Sequence, residues 1–139
     1  MFLFFGYVFD YHNPYAAAKK RAGEILAVYG FDHSTFEAVA SLMSSAFSPE
    51  QDSAAGRVLH DAVFDFIGRV DFVNMADRLF REEMAYGKVG ELKDWFKELV
   101  RRVQDNPFLT ETARRLESVA RETQIKEIQL FADERINNI

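Results

Sequence analysis

Cysteine is absent from the 139 residues. That excludes disulfides, thiolate nucleophiles and zinc–cysteine sites. Proline occurs three times and glycine seven times, and no collagen-like repeat, Gly/Ser linker or low-complexity tract is present. No apolar run approaches the roughly 20 residues that a helical membrane span needs. Positive charge is not in excess either. Seventeen basic against twenty-two acidic side chains give a net charge of -5, which argues against broad nucleic-acid binding.

Catalytic patterns are missing as well. His12, His33 and His60 lie in different segments, without the His-Glu-x-x-His spacing of a metal site. Ser44-Ser45 lacks a Gly-x-Ser-x-Gly frame. Gly87-Lys88-Val89-Gly90 is too short for a phosphate loop and lacks the Gly-Lys-Ser/Thr ending. Asp61 and Asp65 share one expected helix face, but a bundle metal site also needs ligands from facing helices. The sequence therefore reads as a protein that is not an enzyme, with no metal and no cofactor.

Apolar residues make up 48% of the chain, with fourteen Phe, five Tyr and one Trp. Those rings suffice for a core without staples. Apolar residues recur at three-and-four spacing along most of the chain, which predicts an all-α fold. The expectation is a compact bundle of about six helices forming a single domain over residues 1–139.

Asn13-Pro14 opens the first helix with a good N-cap and a Pro suited to the first turn, and Gly30 ends it. Ser34-Thr35-Phe36-Glu37 and Ser48-Pro49-Glu50-Gln51 read as capping boxes for the second and third helices. The third continues to Val70, and Asp71 caps a fourth that stops at Gly87. The fifth runs from about Val89 to Gln104. Asn106-Pro107 repeats the first start signal, and the expected sixth helix occupies residues 107–139, long enough to project, with Thr123 and Gln124 where its stripe shifts. The expected core contains Leu26, Val39, Leu59, Val63, Phe66, Leu79, Phe96, Leu99 and Leu116.

Residues 2–9 read Phe-Leu-Phe-Phe-Gly-Tyr-Val-Phe. A secretory leader is disfavoured, because no Lys or Arg precedes the run and Asp10, His12 and Asn13 interrupt it before Ala16-Ala17-Ala18. No second strand-like run exists to pair with it. The expectation is an extended aromatic strap over residues 1–12, lying across the helices.

Charge is uneven along the chain. Residues 1–48 carry three basic and four acidic side chains, residues 49–87 four and eight, and residues 88–139 ten and ten. The acidic middle could attract a basic protein surface. Arg57, Asp61, Asp65 and Arg69 sit four apart and predict a ladder along one helix edge. Phe64 falls among those carboxylates and Trp95 at the margin of its stripe, so each is a candidate interface anchor. Arg101 and Arg102 end one expected helix and Arg114 and Arg115 begin the next, with Arg121 two turns on. Such a cluster suits an acidic partner or a nucleic-acid strand, unless Glu98, Glu111 and Glu117 neutralise it.

These observations point to a small acidic helical protein that binds a protein partner as a stoichiometric inhibitor, adaptor or regulator, of the kind that phages or mobile elements encode. The expected partner-binding residues are Asp61, Phe64, Asp65, Trp95, Arg101, Arg102, Arg114 and Arg115. The alternative is a nucleic-acid-binding regulator using Arg101, Arg102, Arg114 and Arg115. Leu130, Ile136 and Ile139 fall off the main stripe, so a homodimer through the C-terminal helix or the N-terminal segment is a further option. The expected location is intracellular, in the cytoplasm, without a membrane.

Overall fold

A computed structural model describes the backbone of residues 2–137 and the side chains as far as Arg135. Among the described residues the chain is all-helical, with no strand. The helices are α1 (Phe2–Phe9), α2 (Pro14–Val28), α3 (His33–Ser45), α4 (Ala54–Val63), α5 (Phe72–Ala85), α6 (Leu92–Asp105), α7 (Glu111–Leu116) and α8 (Arg121–Asn137). They fall into two compact units, Met1–Leu59 and His60–Ile139.

In the first unit the aromatic N-terminal segment is a helix, not the extended strap that its composition suggests. A lone strand would leave its backbone groups unpaired, whereas a helix satisfies them internally. Gly6 permits the packing of α1 on α2. A Cβ there would run into the Pro14 carbonyl oxygen and press against the Ala18 Cβ at 3.0 Å. Ala18 and Ala22 are fully buried, so the seam between the two helices is made of small residues. On the other side of α2, Gly23 approaches the Phe36 ring of α3, and the Tyr15 hydroxyl donates to the Ala40 carbonyl at 3.3 Å. Leu26 and Val39, expected in the core, are only half-buried. The closely packed alanines leave large side chains little interior to fill.

Pro14 opens α2 as expected, but the Asn13 side chain makes no cap hydrogen bond, and neither does that of Asp71 at the start of α5. The other two capping expectations shift by one local competition each. Asp32, not Ser34, caps α3: its carboxylate accepts from the Thr35 amide at 2.8 Å. Gln51 does not start a helix. Its amide donates to the Ser45 and Ser48 carbonyls just past the end of α3, and Ser53 caps the first turn of α4 through the Gly56 amide at 2.9 Å.

In the second unit Val63, Phe64, Ile67, Phe72, Ala76, Trp95, Phe96, Leu99, Val103, Phe108 and Ile128 form the core. Phe66 stacks on Phe72 at 5.9 Å and, like Leu79, is half-buried. The helix expected to reach Val70 stops at Val63, and the chain turns at Gly68 with φ +82°. The long C-terminal helix is also broken. Asn106 does not start a helix. It ends α6, its amide donating to the Arg102 carbonyl at 2.9 Å. Thr110 caps the short α7 through the Ala113 amide. After Leu116 the backbone leaves the helix because the Ser118 and Val119 amides donate to the Gly68 carbonyl at 2.8 and 2.9 Å. Gln124 completes this clamp. Fully buried, it accepts from the Gly68 amide at 2.9 Å and donates to the Arg69 carbonyl at 3.2 Å. Leu116, expected in the core, is therefore 70% exposed at the end of a two-turn helix. The side chains of Ile136 and Ile139, expected to fray or to dock on a second chain, lie outside the described residues.

Candidate functional site

The acidic face expected around Phe64 does not form. Asp61 points inward: its two carboxylate oxygens accept from the Leu109 and Thr110 amides, both at 2.8 Å. It therefore fixes the approach to α7 instead of facing a partner. Phe64 is buried, with its ring 4.9 Å from that of the equally buried His60. Because α4 ends at Val63, Asp65 and Arg69 lie beyond it and the four-residue ladder is not continuous. Arg69 instead bridges Asp65 at 3.0 Å and Asp71 at 2.8 Å in the open. The guanidinium holds the Asp71 carboxyl below the usual carboxylate range.

Trp95 is not a surface anchor either. It is 2% exposed, against Phe80 at 5.7 Å, and the Arg102 guanidinium covers it at 5.2 Å. The arginines of α6 are occupied within the unit. Arg102 reaches Glu83 and Glu98, each at 3.0 Å, and Arg101 grips Glu98 at 2.8 Å and Asp105 at 3.4 Å. These pairs hold the Glu98 carboxyl below its ordinary range, the Arg101 hydrogen bond most of all. On α7, Arg114 donates to the Phe108 carbonyl at 3.2 Å, while Arg115 is exposed. Arg121 turns inward, donating to the Val103 carbonyl at 2.6 Å, and burial pulls its pKa down. Of the four expected arginines, Arg101 and Arg102 are thus paired with carboxylates, while Arg114 and Arg115 form no ion pair among the described residues.

Among the described residues no group of three or more His, Asp or Glu side chains is placed to hold a metal. An apolar cleft lined by Phe72, Trp95, Ile128 and Phe131, among others, has a free volume of about 20 Å³, the size of a packing defect.

The exposed aromatics lie elsewhere. Among the described residues, seven of the eight exposed Phe and Tyr side chains belong to the first unit; the other is Tyr86. Two groups stand out. On α1, Phe4, Phe5, Val8 and Phe9 are exposed together, while Leu3 and Gly6 are buried.

The second group is Val28, Tyr29 and Phe31, around the turn from α2 to α3, with Tyr29 76% exposed. That turn is rigid. The amides of Tyr29, Gly30 and Phe31 donate to the Ile25, Ala27 and Leu26 carbonyls at 3.2, 3.1 and 3.0 Å, and Gly30 adopts φ +75°. This satisfies carbonyls that a helix end otherwise leaves open. On the far side the Thr35 amide, followed by the Thr35 and Ser34 hydroxyls, holds the Asp32 carboxyl below its ordinary pKa. Two large aromatic side chains are thus presented on a backbone fixed at both ends.

Sequence reasoning offered the N-terminal segment only as one homodimer surface, without its helical face, and missed the turn altogether. For α1 the signal was there: Phe4/Val8 and Phe5/Phe9 are spaced by four, a helical and not a strand period. For the turn it was the presence of Val28, Tyr29 and Phe31 around Gly30, where polar turn residues are the norm.

In comparisons with protein-family models, curated proteins and solved structures, the chain matches none of them. Among the described residues no helix is long and apolar enough to cross a membrane.

Proposed function

We propose that this chain acts by stoichiometric binding to a protein partner, and that the contact centres on Tyr29 and Phe31 at the turn between α2 and α3. The observation that carries the reading is the placement of these exposed aromatics on a turn whose three amides are all internally bonded. Aromatic anchors dominate the energetics of protein interfaces. Holding them on a rigid turn removes much of the ordering cost that association otherwise incurs. An inhibitor, adaptor or regulator needs nothing further. The nucleic-acid alternative is less favoured, because Arg101 and Arg102 are paired with Glu83, Glu98 and Asp105 and only Arg114 and Arg115 remain without a carboxylate partner among the described residues.

The test is affinity capture from membrane-free lysate of the source cell, with nuclease-treated and untreated samples side by side. Wild type is expected to retain a protein in both, and Tyr29→Ser with Phe31→Ser to lose it while circular dichroism stays unchanged. Retention that vanishes with nuclease, or that survives the double substitution, overturns the reading.

A further inference from the structure

We propose that the exposed face of α1 docks on an anionic lipid surface, lying in its plane, independently of the aromatic turn. The face consists of Phe4, Phe5, Val8 and Phe9, which are 52%, 38%, 75% and 54% exposed. It is a preformed ridge: the Phe5 and Phe9 rings meet edge to face at 5.1 Å, and the Gly6 seam fixes the opposite side of the helix on α2.

Three features select the occupant. First, size. Taking about 200 Å² for a whole Phe ring, the ridge offers about 400 Å² of apolar surface, as much as the largest patch on a typical monomer. Two copies pairing through it would bury about 800 Å² in total, short of the roughly 1,200 Å² of a stable protein interface. A lipid surface has no such threshold, because it conforms to a convex ridge. Second, chemistry. The four side chains carry no hydrogen-bonding group, and burial in an acyl boundary requires only apolar area.

Third, charge. Residues 1–31 hold Lys19, Lys20 and Arg21 against Asp10 and Glu24, a net of +1, while the remaining fourteen basic and twenty acidic residues sum to -6. The part of the chain that bears the apolar ridge thus has a positive balance, although the chain as a whole is acidic. Arg21 stands at the edge of the ridge, with the guanidinium 5.1 Å over the Phe9 ring and paired at 2.6 Å with the half-exposed Glu24 carboxylate, a surface pair that an anionic headgroup can compete for. Lys20 beside it in sequence is exposed, while the Lys19 ammonium lies 5.8 Å over the Phe36 ring of α3; basic side chains next to an apolar helical face are what anionic headgroups attract. Such surface contact needs no spanning helix.

The experiment is co-sedimentation of the full chain with phosphatidylcholine vesicles, with and without about 30% phosphatidylserine. Wild type is expected to pellet several-fold more strongly with the anionic vesicles and to lose that preference at about 0.5 M salt, where screening is strong. Phe4→Ser with Val8→Ser should lower partitioning at least about tenfold, with helicity unchanged. Lys19→Glu with Lys20→Glu leaves the ridge intact and should reduce anionic-vesicle binding to the phosphatidylcholine level. It keeps the test decisive if the first variant misfolds. No pelleting of wild type with either vesicle, or equal pelleting of wild type and both variants, overturns the proposal. So does sedimentation showing a vesicle-free dimer that Phe4→Ser with Val8→Ser dissociates, which would assign the ridge to a second copy.

Discussion

Replacing Asp61 by alanine tests the second unit at a buried carboxylate that ties together distant parts of the chain. Asp61 is 6% exposed, and its carboxylate accepts two backbone amides at 2.8 Å, from residues 48 and 49 positions further along the chain. A hydrogen bond to a charged acceptor contributes about 1.5–3 kcal/mol, and an amide left without a partner costs its own desolvation. Leu109 and Thr110 are only half-buried, so water takes over part of the loss. The net expectation is about 3 kcal/mol, a large share of the roughly 5–15 kcal/mol that holds a domain together.

The assay is urea unfolding followed through Trp95, the only tryptophan and a residue of the same unit. At an m-value of about 1.5 kcal/mol/M the midpoint should fall by about 2 M with little change in slope. Asp61→Asn keeps one acceptor oxygen and should cost about half as much. Asp65→Ala, at an exposed pair with Arg69, should stay within about 0.5 kcal/mol. If Asp61→Ala shifts the midpoint no more than Asp65→Ala does, the carboxylate is not holding the approach to α7 and the account of this unit is wrong.

Other substitutions separate backbone strain from packing. Gly68→Ala meets Glu117 at 2.7 Å and must also adopt φ +82°, so it should cost about 2–3 kcal/mol; Gly30→Ala, with φ +75° and open space around it, should cost about 1 kcal/mol. Equal effects in thermal unfolding would contradict the close approach at Gly68. Acid should weaken the second unit through Glu98. Its folded-state pKa lies below the usual value, so its contribution is complete above about pH 4.3 and disappears as pH falls through the lowered value. Glu98→Gln should flatten that part of a stability–pH curve, and an unchanged curve would refute the pairing. Acrylamide should quench Trp95 weakly in the native protein, and strong quenching would return the indole to the surface.

The helical class was legible because apolar periodicity is a property of each segment alone. Pro14 at the first turn of α2 and Gly30 after its end are local signals of the same kind, and both hold. What the sequence concealed was non-local. Phe64 reads as exposed between Asp61 and Asp65 only if the carboxylates face water. The partners that turn Asp61 inward are the Leu109 and Thr110 amides, and no local window contains them. The break after Leu116 has the same origin, since Gly68 and Gln124 take the backbone groups that a continuous helix would have used. Trp95 at the margin of its stripe becomes core because Arg102 covers the ring, a packing event invisible to period counting. The N-terminal helix was misread for a different reason. Every residue from Phe2 to Phe9 except Gly6 is apolar or aromatic, so composition favours a strand and the four-residue spacing is easily overlooked.

The central claim is that the chain binds a protein through the aromatic turn of its first unit. It is tested most directly by titration calorimetry of the captured partner against three forms of the full chain: wild type, Tyr29→Ser with Phe31→Ser, and Arg101→Glu with Arg115→Glu. The account expects one partner per chain and a loss of at least about thirty-fold for the aromatic variant, the equivalent of about 2 kcal/mol at a hot spot. It also expects near-wild-type affinity for the arginine variant, with only a shallow dependence on salt. Unchanged affinity in the aromatic variant, together with a large loss in the arginine variant and a steep decline with salt, would contradict it.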